Sequence, residues 1–301
     1  MHEFELLVLG SAAGGGFPQW NCGCANCAAV RRGDARFEAR SEDSLALTSS
    51  EATFLVNASA GISAQLARHR TLWPRARRDS PVKGIVLTNG DLDHTLGLFV
   101  LREWQPLVVY ATDRVREGVQ ENSMLRTLLR VPGQLVWRRL ELDQELELEG
   151  PRGEKSDIRV TPFSVPGKPP LHREPRTFDP EDNVALSVRG PRGRFAIYAS
   201  ATADLEAVAA RWNDCELLLL DGTFWSESEP LELGAPHGAR AMGHLPMSGP
   251  GGSLSASCPV PERWFTHVNN TNPALDGSSA ERMLVTAGGW DLARDGQSFL
   301  L

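Results

Sequence analysis

The sequence predicts an α/β protein in which helices pack around two sheets within one domain. Three observations carry this expectation. Short apolar runs interleave with segments of helical period along the 301 residues. The stretch from 134 to 200 is rich in strand-like runs. No internal repeat and no linker divides the chain, so residues 1–301 read as a single domain.

The elements follow in order. Phe4 to Leu9 is a short apolar strand, and Gly10 to Gly16 is the glycine-rich loop that leaves it. Leu45–Leu47 and Thr53–Val56 read as a hairpin turned at Ser49, Ser50 and Glu51. Ile62 to His69 has helical spacing. Gly84–Leu87 is a buried strand that runs into a polar loop and then an apolar helix, Thr95 to Trp104. Leu107–Ala111 is another strand. Thr112 or Asp113 caps a helix that runs to Arg130 and breaks at Val131-Pro132-Gly133. Strands follow at Leu135–Trp137, Leu146–Leu148, Ile158–Pro162, Val184–Val188 and Phe195–Tyr198. The proline-rich, charged stretch 166–183 is a long loop, and Thr202–Trp212 is a helix. Leu217–Leu220 is a strand that Asp221 and Gly222 leave. The tail holds a strand at Trp264–Val268, a helix at Ser278–Thr286 and a small closing hairpin.

Composition bounds the function. With 41% hydrophobic and 23% charged residues the chain is of ordinary globular type. A net charge of −7 leaves no basic footprint for nucleic acid. The arginines at 68, 70, 75, 77 and 78 form only a local patch, read as a solvated helix end and loop. No apolar run approaches the roughly 20 residues of a membrane span. The segment MHEFELLVLG lacks the basic region and cleavage site of a signal peptide. The expected location is the cytoplasm, with neither nucleic acid nor membrane as a partner.

Two constellations carry chemistry. Cys22, Cys24 and Cys27 make a CxCxxC cluster, too tight for a secreted disulfide framework. Three sulfurs at this spacing converge on one ion when the backbone turns, and Gly23 permits the turn. Zinc takes four such ligands in a tetrahedron, so a structural Zn2+ is expected here, its fourth ligand coming from elsewhere. The second constellation is Asp91, Asp93 and His94, at the carboxyl end of a strand, where open α/β sheets carry their chemistry. Asp221 and His267 also stand at strand ends. Such carboxylate and imidazole ligands suit zinc, iron or manganese.

Four segments resemble a known family. GGGFPQWNCGCANC at 14–27, LTNGDLDHTLGL at 87–98, GHLPMSGPGGSL at 243–254 and HVNNTNPALD at 267–276 are similar to the pyrroloquinoline quinone biosynthesis protein B family. That family is a branch of the metallo-β-lactamase superfamily. The resemblance implies a four-layer αβ/βα sandwich, two mixed sheets flanked by helices. It implies metal binding by Asp93, His94 and His267, with Asp91 and Asp221 as further candidate ligands. Within the superfamily's HxHxDH motif, Asn89 and Asp91 replace the two leading histidines. Ser200-Ala201-Thr202 stands where Ser-Asp-Thr is usual, and no histidine lies near Val165-Pro166-Gly167. A single metal with open positions therefore fits better than a dinuclear hydrolase centre.

Asp93, His94 and His267 match the composition of the 2-His-1-carboxylate triad of iron(II) oxygenases. The resemblance implies an Fe2+-dependent, O2-consuming hydroxylation of the tyrosine ring of a glutamate–tyrosine precursor of the quinone. His244 is placed as a catalytic helper that donates a proton or hydrogen bond. Asn270 is placed as the residue that closes the cysteine zinc. A homodimer with Trp20 and the zinc loop near the interface is also implied. Two other readings stay open: a metal-dependent hydrolase, and a non-catalytic carrier of the quinone or its precursor. Asn57-Ala-Ser-Ala-Gly61 departs from the family's Asn-Ala-Ser-Pro-Asp, so a paralogue with a different peptide-derived substrate is a further alternative.

Overall fold

The computed structural model describes residues 4–170, 172 and 177–301. Apolar runs such as Leu6 to Leu9 are buried on both faces, which requires a layer of protein on each side of the strand. The first sheet holds β1 (Glu5–Gly10), β2 (Ser44–Thr48), β3 (Thr53–Val56), β4 (Val82–Val86), β5 (Leu107–Ala111) and β6 (Leu135–Arg139). The second holds β7 (Leu146–Glu149), β8 (Lys155–Ser164), β9 (Val184–Arg189), β10 (Phe195–Ala199), β11 (Leu217–Asp221), β12 (Glu262–Thr266) and β13 (Asp291–Leu292). The last strand, β14 (Ser298–Leu300), returns to the first sheet. Both sheets are mixed. The first has the order β14-β1-β2-β3-β4-β5-β6 and the second β13-β12-β11-β10-β9-β8-β7. In each, the strands are antiparallel at one end and parallel at the other.

Alternation along the strands sorts the core into three clusters. Leu6 and Val8 face the second sheet, and Leu217 and Leu219 face the first; together with Phe54, Tyr110 and Tyr198 they fill the space between the sheets. Leu7 and Leu9 point outward, against Ile62 of α2 (Ile62–Arg68) and Val115 and Val119 of α5 (Asp113–Gln120). Leu218 and Leu220 point outward on the other side, against Val208 of α6 (Glu206–Ala209) and Val285 of α8 (Ala280–Ala287). These clusters make the helix–sheet–sheet–helix sandwich.

The helices depart from the sequence expectations in definite places. The helix expected from Thr95 to Trp104 begins earlier and stops sooner, as α3 (Leu92–Thr95) and α4 (Gly97–Val100). Its first turn instead carries Asp93 and His94. Gly97 sits so close to the backbone of Ala58 that an added Cβ would meet the Ala58 oxygen at 2.7 Å. The helix to Arg130 ends at Gln120, because the Asn122 side chain accepts from the Met124 N–H and starts a separate 3-10 helix, Ser123–Arg130. Thr112 is its N-cap, accepting from Val115 N. Thr202–Trp212 shrinks to the single turn of α6, since Thr202 and Asp204 bind nearby backbone groups and hold the entry as a loop. A helix at Ala25–Arg31 (α1), capped by Cys24, was not expected; α7 (Glu229–Glu232) is likewise additional.

The closing hairpin does not form. β13 pairs parallel with β12, while β14 pairs antiparallel with β1. The tail therefore crosses from one sheet to the other. Of the expected loop 166–183, residues 171 and 173–176 lie outside the described residues, and the rest carries neither helix nor strand. No helix among the described residues is long and apolar enough to cross a membrane.

Candidate metal centre and its cavity

The parallel strands β4, β11 and β12 deliver their carboxyl ends to one end of the sandwich. After β4 the chain turns through Asn89 and Gly90 into α3, which carries Asp93 and His94. After β11 come Asp221 and Thr223. After β12 comes His267, held at a left-handed φ of 55° that non-glycine residues seldom adopt. One donor atom from each of Asp93, His94 and His267 lies within 4.8 Å of the others. Asp93 Oδ2 is 3.3 Å from His267 Nε2 and 3.8 Å from His94 Nε2. Gly14 leaves room for this carboxylate: a Cβ there would meet Asp93 Oδ2 at 3.0 Å.

The surrounding hydroxyls assign the imidazole tautomers. Thr88 Oγ1 donates to Asn57 Oδ1 at 3.1 Å, so it accepts from His94 Nδ1 at 3.3 Å. His94 Nε2 is then a lone pair, and it is buried with no hydrogen-bond partner among the described residues. Thr223 Oγ1 donates to Asp221 Oδ1 at 2.7 Å and accepts from His267 Nδ1 at 2.9 Å. That turns His267 Nε2 toward Asp93. An orphaned buried imidazole nitrogen beside a carboxylate and a second imidazole fits a divalent metal.

Electrostatics agree. Burial opposes charge on His267, but Asp93, with Asp43 and Asp221 behind it, raises the imidazole to about 9. Burial works to raise Asp93, and His94 and His267 outweigh it, holding the carboxyl below its usual range. Burial keeps His94 below its ordinary value, so it stays neutral.

Asp221, His244 and His267 form a second convergent group. Its atoms are already engaged by protein donors. Asp221 Oδ2 accepts from Thr202 N at 2.9 Å and from His244 Nδ1 at 2.8 Å. Asp221 Oδ1 accepts from Thr223 N at 2.9 Å. With Nδ1 tied to the carboxylate, His244 has Nε2 left for the cavity. Its ring stacks on His267 at 5.4 Å.

Asp91 lines the same cavity but joins neither convergent group. The cavity is about 400 Å³, with Ala13, Asn89, Lys168 and His244 among its walls. Ala201 lines the cavity, and Asp221 accepts from the adjacent Thr202 N at 2.9 Å.

The three cysteines meet at the other expected site, with Sγ atoms converging within 4.8 Å. Amide donors surround them: Cys24 N lies 3.5 Å from Cys22 Sγ, and Cys27 N 3.5 Å from Cys24 Sγ. The Asn270 side-chain amide sits over all three sulfurs, 3.1 Å from Cys22, 3.4 Å from Cys27 and 3.7 Å from Cys24. Burial pushes the Cys27 thiol up to about 11, while amide donors outweigh burial at Cys22 and lower it. Three crowded sulfurs beneath one polar side chain fit a thiophilic dication. Asn270 lies three residues beyond His267, so one loop serves both sites.

Several members escaped the sequence reading. Thr88 and Thr223 leave no periodic mark, because their value lies in one hydroxyl each. Asp43 is wholly buried between the sheets, accepting from Tyr198 and Thr266. Lys168 and His172 come from the long loop, where sequence pattern assigns no side chain to the cavity.

Comparison with known proteins agrees with this geometry. The beta-lactamase superfamily domain model matches residues 52–267. Coenzyme PQQ synthesis protein B of Pseudomonas syringae pv. syringae is 40% identical over 98% of this chain and 99% of its own. The Zn2+-bound PqqB structure from Methylobacterium extorquens superposes with a TM-score of 0.90 at 35% identity, covering 100% of both chains. A diphosphatase of the PhnP family shares the fold at a TM-score of 0.68 and 19% identity, covering 100% of this chain and 98% of that one.

Proposed function

The chain belongs to the coenzyme PQQ synthesis protein B family, and from that premise we propose that it is a mononuclear Fe2+-dependent oxygenase. Its reaction is hydroxylation of the tyrosine ring of a glutamate–tyrosine precursor of the quinone. The observation that carries this reading is one 2-His-1-carboxylate set in which His94 Nε2 has no hydrogen-bond partner among the described residues, whereas the Asp221 carboxylate of the second convergent group is already engaged by Thr202, Thr223 and His244. Asp93, His94 and His267 converge, and the resemblance places Asn89 and Ala201 at positions where the superfamily has ligands of a dinuclear centre. Ferrous iron bound there supplies the redox chemistry by which O2 reacts with an aromatic ring.

The protein's own groups do the rest. Thr88 and Thr223 hold two Nδ1–H tautomers, keeping His94 Nε2 and His267 Nε2 free to ligate. Asp221 orients His244, whose Nε2 moves a proton to or from the substrate. Cys22, Cys24 and Cys27 hold a structural zinc. Asn270 completes that site when its amide is turned so that Oδ1 faces the metal. We place the reaction in the cytoplasm, where these free thiols stay reduced. A homodimer buries Trp20, which is 85% exposed beside the zinc loop.

The test uses protein purified without oxygen, loaded with Fe2+ and given a reductant, labelled O2 and a tyrosine-containing amino acid. The expected result is one labelled oxygen in the product, abolished by Asp93→Ala. Turnover of a phosphodiester or lactone without O2 supports the hydrolase instead. Quinone binding unchanged by Asp93→Ala and His94→Ala, with no reaction, supports the carrier.

A further inference from the structure

We propose that Asp91 and Lys168 recognise the substrate as an amino acid, Lys168 binding its carboxylate and Asp91 its ammonium group. This rests on the cavity being the substrate site. Lys168 is the one lysine or arginine among the described residues that line it. Its ammonium has no hydrogen bond and no ion pair among the described residues. The Asp91 carboxylate likewise makes no hydrogen bond among the described residues, although Asp91 occupies the N-cap position of α3. Neither pairs with the other.

Both are presented on fixed backbone. Asp91 N donates to Asn89 Oδ1 at 3.0 Å, and its carbonyl accepts from Thr95 Oγ1 at 2.9 Å and from His94 N at 3.0 Å. The segment of Lys168 is wedged between two neighbours. A Cβ on Gly243, where φ is +89°, would meet Lys168 N at 2.8 Å, and a Cβ on Gly167 would meet Asn183 Nδ2 at 2.6 Å. Asn89 Nδ2 donates to Asn183 Oδ1 at 3.3 Å, which joins the Asp91 wall to the Lys168 wall. The two residues therefore line one cavity together with Asp93, His94 and His267, on segments that the Asn89–Asn183 amide pair joins. Unpaired opposite charges in a partly enclosed cavity are complementary to a ligand carrying both. A zwitterionic amino acid is the smallest such ligand. This also gives the acid at position 91 a use that the metal set leaves open.

The test separates recognition from chemistry. The full-length protein is loaded with Zn2+ at both sites, so nothing turns over, and titrated calorimetrically with L-tyrosine, its methyl ester and N-acetyl-L-tyrosine. The unsubstituted protein is expected to bind L-tyrosine more tightly than either blocked form. Lys168→Met is expected to weaken L-tyrosine and N-acetyl-L-tyrosine by roughly tenfold or more, leaving the ester unchanged. Asp91→Asn is expected to weaken L-tyrosine and the ester, leaving N-acetyl-L-tyrosine unchanged. The proposal is overturned if either variant weakens all three equally, if Asp91→Asn releases a metal equivalent, or if L-tyrosine does not bind at millimolar concentration. The pattern reads the same whether or not the iron form hydroxylates anything, so its failure is distinct from failure of the oxygenase reading.

Discussion

At His267 one residue joins three devices: the candidate metal set through Nε2, the Thr223 hydroxyl through Nδ1, and the cysteine cluster through the short run to Asn270. Thr223→Val keeps the shape and deletes the acceptor that fixes the tautomer. It is expected to weaken the active-site metal by about 10- to 100-fold and to leave the cysteine zinc intact, read by competition with a metal chelator. The acid–base behaviour of His267 has a definite sign. Its folded value of about 9 lies above its ordinary 6.5. In the metal-free protein its pairing with Asp93 thus adds stability that is fully present below about pH 6.5 and lost as pH rises through about 9. A metal must displace the Nε2 proton. Apparent affinity is therefore expected to climb with pH and level off above about 9, measured by titration across that range. The candidate metal-binding side chains at 93, 94 and 267 are legible in the sequence as residue types, because strand ends with acids and imidazoles are chemically unusual. The hydroxyl and amide partners are not, since Thr88 and Asn57 resemble any strand-end residues until the fold closes.

At the scale of elements, the loop between β1 and α1 is anchored in the core by Ala12 and Phe17, and its cysteine cluster meets the loop after β12 at Asn270. Cys27→Ser is expected to remove the zinc. Loss of an ion held at roughly a thousand times its dissociation constant costs about 4 kcal/mol. A fall in Tm of roughly 10 °C in scanning calorimetry, with one zinc lost per chain, checks this. Tight spacing made this site the plainest in the sequence. Helix ends were the least plain. The helices expected to run to Arg130 and to Trp212 are shorter in the fold, because Asn122, Thr202 and Asp204 bind backbone locally, and this overrides the apolar period.

For the whole molecule, the tail closes the sandwich. β13 extends one sheet and β14 the other, and Phe299 enters the core between them. Phe299→Ala is expected to cost about 3–5 kcal/mol. Its neighbour Leu300, 55% exposed, is expected to tolerate alanine within about 0.5 kcal/mol. Urea unfolding of both variants checks the contrast. The two-sheet class was readable from doubly buried apolar runs such as Leu217–Leu220. The crossing of the tail was not, because two short strands close in sequence look like a hairpin whether or not they pair.

The central claim is one metal at Asp93, His94 and His267, apart from a structural zinc. Metal analysis of protein purified without oxygen, before and after His267→Ala, tests it most directly. The expected result is two metals per chain, one of them zinc, falling to the zinc alone in the variant. A second active-site equivalent per chain, or two metals that both survive His267→Ala, contradicts it.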